Sequence, residues 1–94
     1  MNRHDVNAFV ALFSSDAAVE DEGATHHGPA QIRAWIENAF AKYQPVLEVT
    51  GVEADETTAT ITGPVSGTFD GSPVLLHYHL TFRDEKITTL RCDV

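Results

Sequence analysis

An α+β domain is predicted from three features of the 94-residue chain. Ile32, Trp35, Ile36, Ala39, Phe40 and Tyr43 recur at helical spacing and define one long amphipathic helix. From Val46 onward the chain is rich in Val, Ile and Thr, and turn signals interrupt it at Asp55-Glu56, Asp70-Gly71 and Arg83-Asp84-Glu85-Lys86. Ahead of the helix, Ala17 to Asp21 reads as a short strand ended by Gly23.

The elements follow in order. Asp5 caps a first helix whose stripe is Val6, Phe9, Val10 and Phe13, and Ser14-Ser15-Asp16 ends it, because these side chains compete for the backbone. In the strand after it, Ala17, Val19 and Asp21 share one face, which sets a charge in line with an apolar residue. His26-His27 lies in the loop before the second helix. That helix starts at Gly28-Pro29, where proline's missing N–H costs nothing, and stops at Pro45. Val46 to Glu53, Thr57 to Phe69, Pro73 to Phe82 and Ile87 to Val94 are the remaining strands, with Gly63-Pro64 marking a bend or bulge. The expected chain is helix, strand, helix and four antiparallel strands, with both helices on one face of a bent sheet.

Composition bounds the rest. With 43% hydrophobic residues the chain can bury one small core, and residues 1–94 form a single domain. Six Lys and Arg against fourteen Asp and Glu give a net charge of −8, which argues against nucleic acid or an anionic membrane as partner. No apolar run approaches membrane length, and the N-terminus has no signal-like apolar segment. The single Cys92 excludes an internal disulfide, which suits the cytoplasm, and no Cys/His spacing resembles a zinc site, so no metal is expected. No phosphate-binding glycine loop or Ser-His-Asp arrangement is present.

Asp21 is the first candidate for chemistry. Desolvation on an apolar face favours a neutral acid, which makes a carboxylate there useful for proton abstraction. The plainer reading is a strand-end carboxylate that caps the next loop or faces water. Alternation sets Leu76, Tyr78, Leu80 and Phe82 on one face and His77, His79 and Thr81 on the other. Tyr78 then either donates a hydrogen bond to a developing enolate or is a core tyrosine with a buried partner. His26 and His27 either position a substrate oxygen or orient Asp21, or form an exposed loop pair. Trp35, Ile36 and Phe40 are most simply helix core, and in a cone-shaped sheet part of that stripe would also line the cavity, with Val19, Val65 and Phe69 facing it if they point inward.

The run Ala11-Leu-Phe-Ser-Ser-Asp-Ala-Ala-Val-Glu-Asp21, followed by His27-Gly-Pro-Ala-Gln-Ile-Arg-Ala-Trp35, resembles the nuclear transport factor 2-like superfamily, and within it the SnoaL-like polyketide cyclases and ketosteroid isomerases. Leu80-Thr-Phe82, a charged turn and Ile87-Thr-Thr-Leu-Arg91 resemble the family's last hairpin. The resemblance covers nearly the whole chain. It implies a cystatin-like cone of curved antiparallel sheet wrapped around helices, a homodimer through the outer sheet face, and chemistry without a cofactor. It also gives Asp21 the place of the isomerases' general base. Two departures are expected: the family's additional N-terminal helix, which supplies an oxyanion tyrosine in the isomerases, precedes the helix that starts here, and Leu76-His-Tyr-His-Leu80 puts Tyr78 near the place of their neutral aspartate.

The expected function is therefore binding of a small apolar cyclic, polyketide-like or steroid-like ligand. Asp21 and Tyr78 are its catalytic candidates, and Val19, His26, His27, Trp35, Ile36, Phe40, Val65, Phe69, Leu76, Leu80 and Phe82 its contacts. The alternative is a non-catalytic ligand-binding or dimerisation module of the same fold.

Overall fold

The computed structural model describes residues 5–21 and 23–94. Among these residues two helices, α1 (Val6–Val10) and α2 (Gly28–Tyr43), accompany seven strands: β1 (Phe13–Asp21), β2 (Ala24–His27), β3 (Val46–Leu47), β4 (Gly51–Ala54), β5 (Thr58–Ser66), β6 (Val74–Arg83) and β7 (Lys86–Asp93). They form one sheet in the order β2-β1-β7-β6-β5-β3, with β4 also paired to β5. All pairings are antiparallel except β1 with β7, which joins the first strand to the last in parallel.

Three expectations are corrected. The first helix ends at Val10, and β1 begins at Phe13, so Ser14, Ser15 and Asp16 are strand residues rather than a helix terminus. β7 pairs with Phe13 and again from Ala18, with a register shift between them, so Ser14 to Asp16 lie in an irregular, bulged stretch of β1. The Ser14 hydroxyl donates to Asp16 there, and Arg83 Nη2 grips both Asp16 carboxylate oxygens at 3.1 and 3.0 Å. His26 and His27 stand in β2, not in a loop, because Gly23 at φ +78° turns the chain back and Asp21↔Ala24 to Ala18↔His27 then pair. The strand expected over Val46 to Glu53 is divided into β3 and β4.

That division has a visible cause. Glu48 and Thr50 donate to the carbonyls of Pro64 and Thr62 on either side of Gly63, so the edge strand arches over that glycine. A Cβ at Gly63 would overlap the Glu48 carbonyl oxygen. The Gly63-Pro64 signal thus marks the irregularity on β5, while the one extra residue sits on its neighbour, where three residues, 48–50, lie opposite Gly63 and Pro64. At the other end Asp84 and Glu85, at φ 51° and 66°, form a two-residue hairpin turn matched to strand twist.

Helix α2 is as the periodicity predicts. Pro29 opens it, the Gln31 side chain accepts the His27 N–H at 2.8 Å, and Gln44 in a left-handed conformation ends it before Pro45. Its buried residues Ile32, Ile36 and Phe40 lie one turn apart and meet Ala17 and Val19 of β1, Ile87 and Leu90 of β7, and Phe9 and Phe13. Val19 and Ile32 have no accessible surface, and each such side chain contributes about 1.5–3 kcal/mol. Among the described residues, no helix is long and apolar enough to cross a membrane.

Gly63→Ala is expected to cost about 1–3 kcal/mol by overpacking against the Glu48 backbone. Gly51→Ala, whose added methyl would meet only Thr62 Cβ at 4.0 Å, should stay within about 0.5 kcal/mol of wild type. Urea denaturation of both variants checks the contrast, and equal stability would refute the steric account.

Candidate functional site

The site is built outward from Val19. Because Val19 is wholly buried under α2, period-two alternation turns Asp21 to the same inner face of the sheet. Asp21 lies at the end of β1, where helix cover thins, and it is half-buried rather than enclosed. One carboxylate oxygen, Oδ2, accepts the indole N–H of Trp35 at 3.1 Å. Trp35 sits on α2 one position before buried Ile36, so its ring lies at the edge of the core, against Phe9 at a centroid distance of 6.0 Å. Its other neighbour is the His26 imidazole, at 5.9 Å and tilted by 31°. The indole therefore spans core, carboxylate and histidine at once.

Sheet register supplies the second half. Val19 pairs with Leu90 and Glu20 with Arg91, so the next step sets Asp21 beside Cys92, and Cys92 pairs with Tyr78 on β6. Asp21, Cys92 and Tyr78 thus form a row across three strands of the inner face. Burial pushes the Tyr78 phenol well above its ordinary ionisation range, and the Cys92 and Asp21 charges push in the same direction. A hydrogen bond between the Tyr78 hydroxyl and the Cys92 side chain adds to the shift. Tyr78 is consequently a neutral hydrogen-bond donor within electrostatic reach of Asp21.

In front of Asp21 lies a groove of about 450 Å³, lined by Asp21, Ala24 and His26 from the β1–β2 hairpin and by Gln31, Ala34, Trp35 and Asn38 from α2. It is open along one side and within the size range of small-ligand sites. Of the residues predicted to contact ligand, His26 and Trp35 line this groove. Val19, Ile36, Phe40 and Val65 are buried, and Leu80 and Phe82 pack against the main core. Phe69 lies beyond β5 and meets Tyr43 edge-on at 5.8 Å. Leu76 follows the inner-face alternation two residues before Tyr78, and His27 is exposed at the start of α2. Ala24, Gln31, Ala34 and Asn38 also line the groove and are not among the contacts expected from the sequence. Gln31, Ala34 and Asn38 do share a helix face with i, i+3, i+7 spacing, and that pattern was the available signal.

His77 and His79 occupy the outer face. Their Nδ1 atoms meet the hydroxyls of Thr62 at 2.9 Å and Thr60 at 3.4 Å, and His79 Nε2 reaches Asp93 at 3.2 Å. Among the described residues, no group of three His, Cys, Asp or Glu side chains could hold a metal ion.

The Tyr78 shift fixes a stability profile. A phenol that ionises later in the folded state contributes stability that is complete below its unfolded value near pH 10 and is lost as pH rises toward the folded value. Wild type is expected to lose up to about 1.4 kcal/mol per pH unit in that window, less for the phenol's partial exposure. Tyr78→Phe should lack that component. Denaturation between about pH 9 and 11 tests this, and identical slopes in both proteins would contradict the assignment.

Comparison with known proteins places this geometry in a family. A profile of the SnoaL-like domain matches residues 1–90. No curated protein matches the chain. Among solved structures, a candidate polyketide cyclase from Sinorhizobium meliloti is 37% identical, with a TM-score of 0.93 over 98% of this chain and 84% of its own. A protein with a ketosteroid isomerase-like fold from Catenulispora acidiphila, solved in complex with trimethylamine, is 26% identical, with a TM-score of 0.83 over 96% and 75% of the two chains. A cystatin-fold protein from Novosphingobium aromaticivorans, 22% identical, has a TM-score of 0.82 over 99% and 87%, and shows the fold alone. With its curved sheet, its long helix and its inward-facing Asp21, the chain belongs to the SnoaL-like domain family, a small-ligand-binding fold of the nuclear transport factor 2-like type.

Proposed function

We propose that the protein binds a small carbonyl compound at the inner face and moves a proton on it, with Asp21 as general base and Tyr78 as the donor that stabilises the enolate. The observation that supports this is the pairing on one sheet face of a carboxylate held by Trp35 with a phenol kept neutral by its surroundings. Trp35 holds Oδ2, and Oδ1 would take the proton from the carbon next to the carbonyl. Tyr78 donates to the oxygen where negative charge develops. The proton then returns from Asp21 to another carbon, giving isomerisation, or the enolate carbon attacks a second carbonyl and Asp21 returns the proton to the resulting alkoxide, giving an aldol-type cyclisation. Neither step needs a cofactor. Cyclic, polyketide-like or steroid-like ketones are the substrate class that the family suggests. On composition, with Cys92 as a single reduced thiol, we place the protein in the cytoplasm.

A second reading, ligand binding without turnover, is favoured by the groove's openness and by the trimethylamine-bound Catenulispora neighbour. In either case a second copy would pack on the outer sheet face, where Thr58, Thr60, Thr81 and Thr89 surround a shallow depression flanked by Glu20, His79 and Arg91. Ala18→Arg in that depression should then leave the protein monomeric in analytical ultracentrifugation while wild type is dimeric.

Asp21→Asn decides between the two main readings. It should lower isomerase or cyclase turnover by about 10²- to 10⁴-fold while ligand affinity, read by thermal shift, stays close to wild type. Parallel loss of binding and turnover would remove the general-base role, and stabilisation by ligands that ignores Asp21 would favour a binding module.

A further inference from the structure

We infer that His26 is a second hydrogen-bond donor to the ligand, on the flank of Asp21 opposite Tyr78, and that the site therefore takes a 1,3-dicarbonyl compound. The inference rests on the proposed placement of a carbonyl ligand at Asp21. His26 pairs with Val19 across the β1–β2 ladder, and paired residues share a face, so burial of Val19 under α2 turns the imidazole inward as well. Asp21 pairs with Ala24 in the same ladder, which makes His26 its diagonal neighbour, about 7–8 Å away at the backbone and within side-chain reach. Both residues line the groove, and Ala24 is small enough to leave the space between carboxylate and imidazole open. In the sheet order β2-β1-β7-β6, Asp21 stands between His26 on one side and Tyr78 on the other. The base is thus flanked by two donors rather than one.

His26 differs from the histidines of the outer face. The Nδ1 atoms of His77 and His79 meet threonine hydroxyls, whereas among the described residues His26 is held through its ring, beside the Trp35 indole at 5.9 Å, and its nitrogens make no hydrogen bond. A neutral imidazole carries one N–H, which can donate to an oxygen in the groove. Two donors set two requirements on the ligand. Removing a proton from a carbon between two carbonyls breaks the C–H bond, carries the proton to the Asp21 carboxylate and spreads the electron pair over both oxygens. Each oxygen then needs a donor, and Tyr78 supplies one while His26 supplies the other. A simple ketone develops charge on one oxygen and leaves one donor unpaired in a partly desolvated site, which lowers its affinity relative to the dicarbonyl. The electron pair then takes the proton back from Asp21, or the central carbon attacks a further carbonyl as in the proposed cyclisation.

The test uses pentane-2,4-dione and pentan-2-one, which share a carbon skeleton and differ by a single carbonyl. Each is titrated into the full chain near neutral pH and followed by amide, indole and imidazole NMR signals. The dione should bind about two- to tenfold more tightly, the worth of a net hydrogen bond, and should shift the His26 ring protons further than the ketone does. His26→Ala should bring the dione to the ketone's affinity, and His26→Gln, which keeps an N–H, should restore most of the preference. Equal affinities in wild type, a dione preference that survives His26→Ala, or no binding of either probe would each overturn the inference, and the first and last of these need no variant to fold. Exchange of the ketone's α-hydrogens with D2O, read in the same samples, separates this result from the proposed function. Exchange that depends on Asp21 without a dione preference retains proton transfer and removes the second donor. A dione preference that depends on His26 without exchange retains the second donor and removes the general base.

Discussion

Complete burial of Val19 beneath α2 is the constraint on which the site depends. A strand has only two faces, so once Val19 is committed to the core, Ala17 and Asp21 must follow it inward. Slipping β1 by one residue would expose Val19 and turn Glu20 against Ile32 and Ile36, losing apolar burial and placing an unpaired charge in the core. Packing thus does the work of aiming a carboxylate that by its own solvation would turn toward water. The position at the strand's end limits the cost, because there the helix cover thins and the carboxylate keeps partial access to solvent.

The parallel β1–β7 pairing turns that local constraint into a site. It carries the register of the first strand to the last, where Cys92 arrives next to Asp21, and the antiparallel β6–β7 ladder passes it on to Tyr78. Asp21 is thereby aligned with Tyr78 and Cys92, both more than fifty positions later in the chain, by the register of the sheet. The β6–β7 turn secures this arrangement from outside, since Arg83 grips Asp16 and Lys86 reaches the Ala11 carbonyl, holding the start of β1 against the end of the hairpin.

Trp35 links the helix to this row. Its ring is partly core, against Phe9, and its N–H is committed to Asp21, so helix position and carboxylate orientation are coupled through one side chain. One carboxylate oxygen is fixed by the indole, and the residue lines the groove.

Local pattern was enough to define α2, the inward face of Asp21 and Tyr78, the bend at Gly63-Pro64 and the hairpin at Asp84-Glu85, because each rests on periodicity or on turn chemistry within a few residues. The strand character of Ser14 to Asp16 and of His26 was hidden, since those residues prefer turns: His26 is drawn into the sheet by pairing with Val19, and Ser14 to Asp16 form the irregular stretch between the Phe13 and Ala18 pairings with β7. Likewise the sequence by itself determined which face each candidate occupies. Only the tertiary structure decided which faces meet: that Trp35 closes on Asp21, that Ala24, Gln31, Ala34 and Asn38 wall the groove, and that Val65 and Phe40 are buried away from it. Side-chain alternation is a property of one strand or helix, whereas a site is made where separate elements converge, and that convergence is set by the long-range register of the sheet.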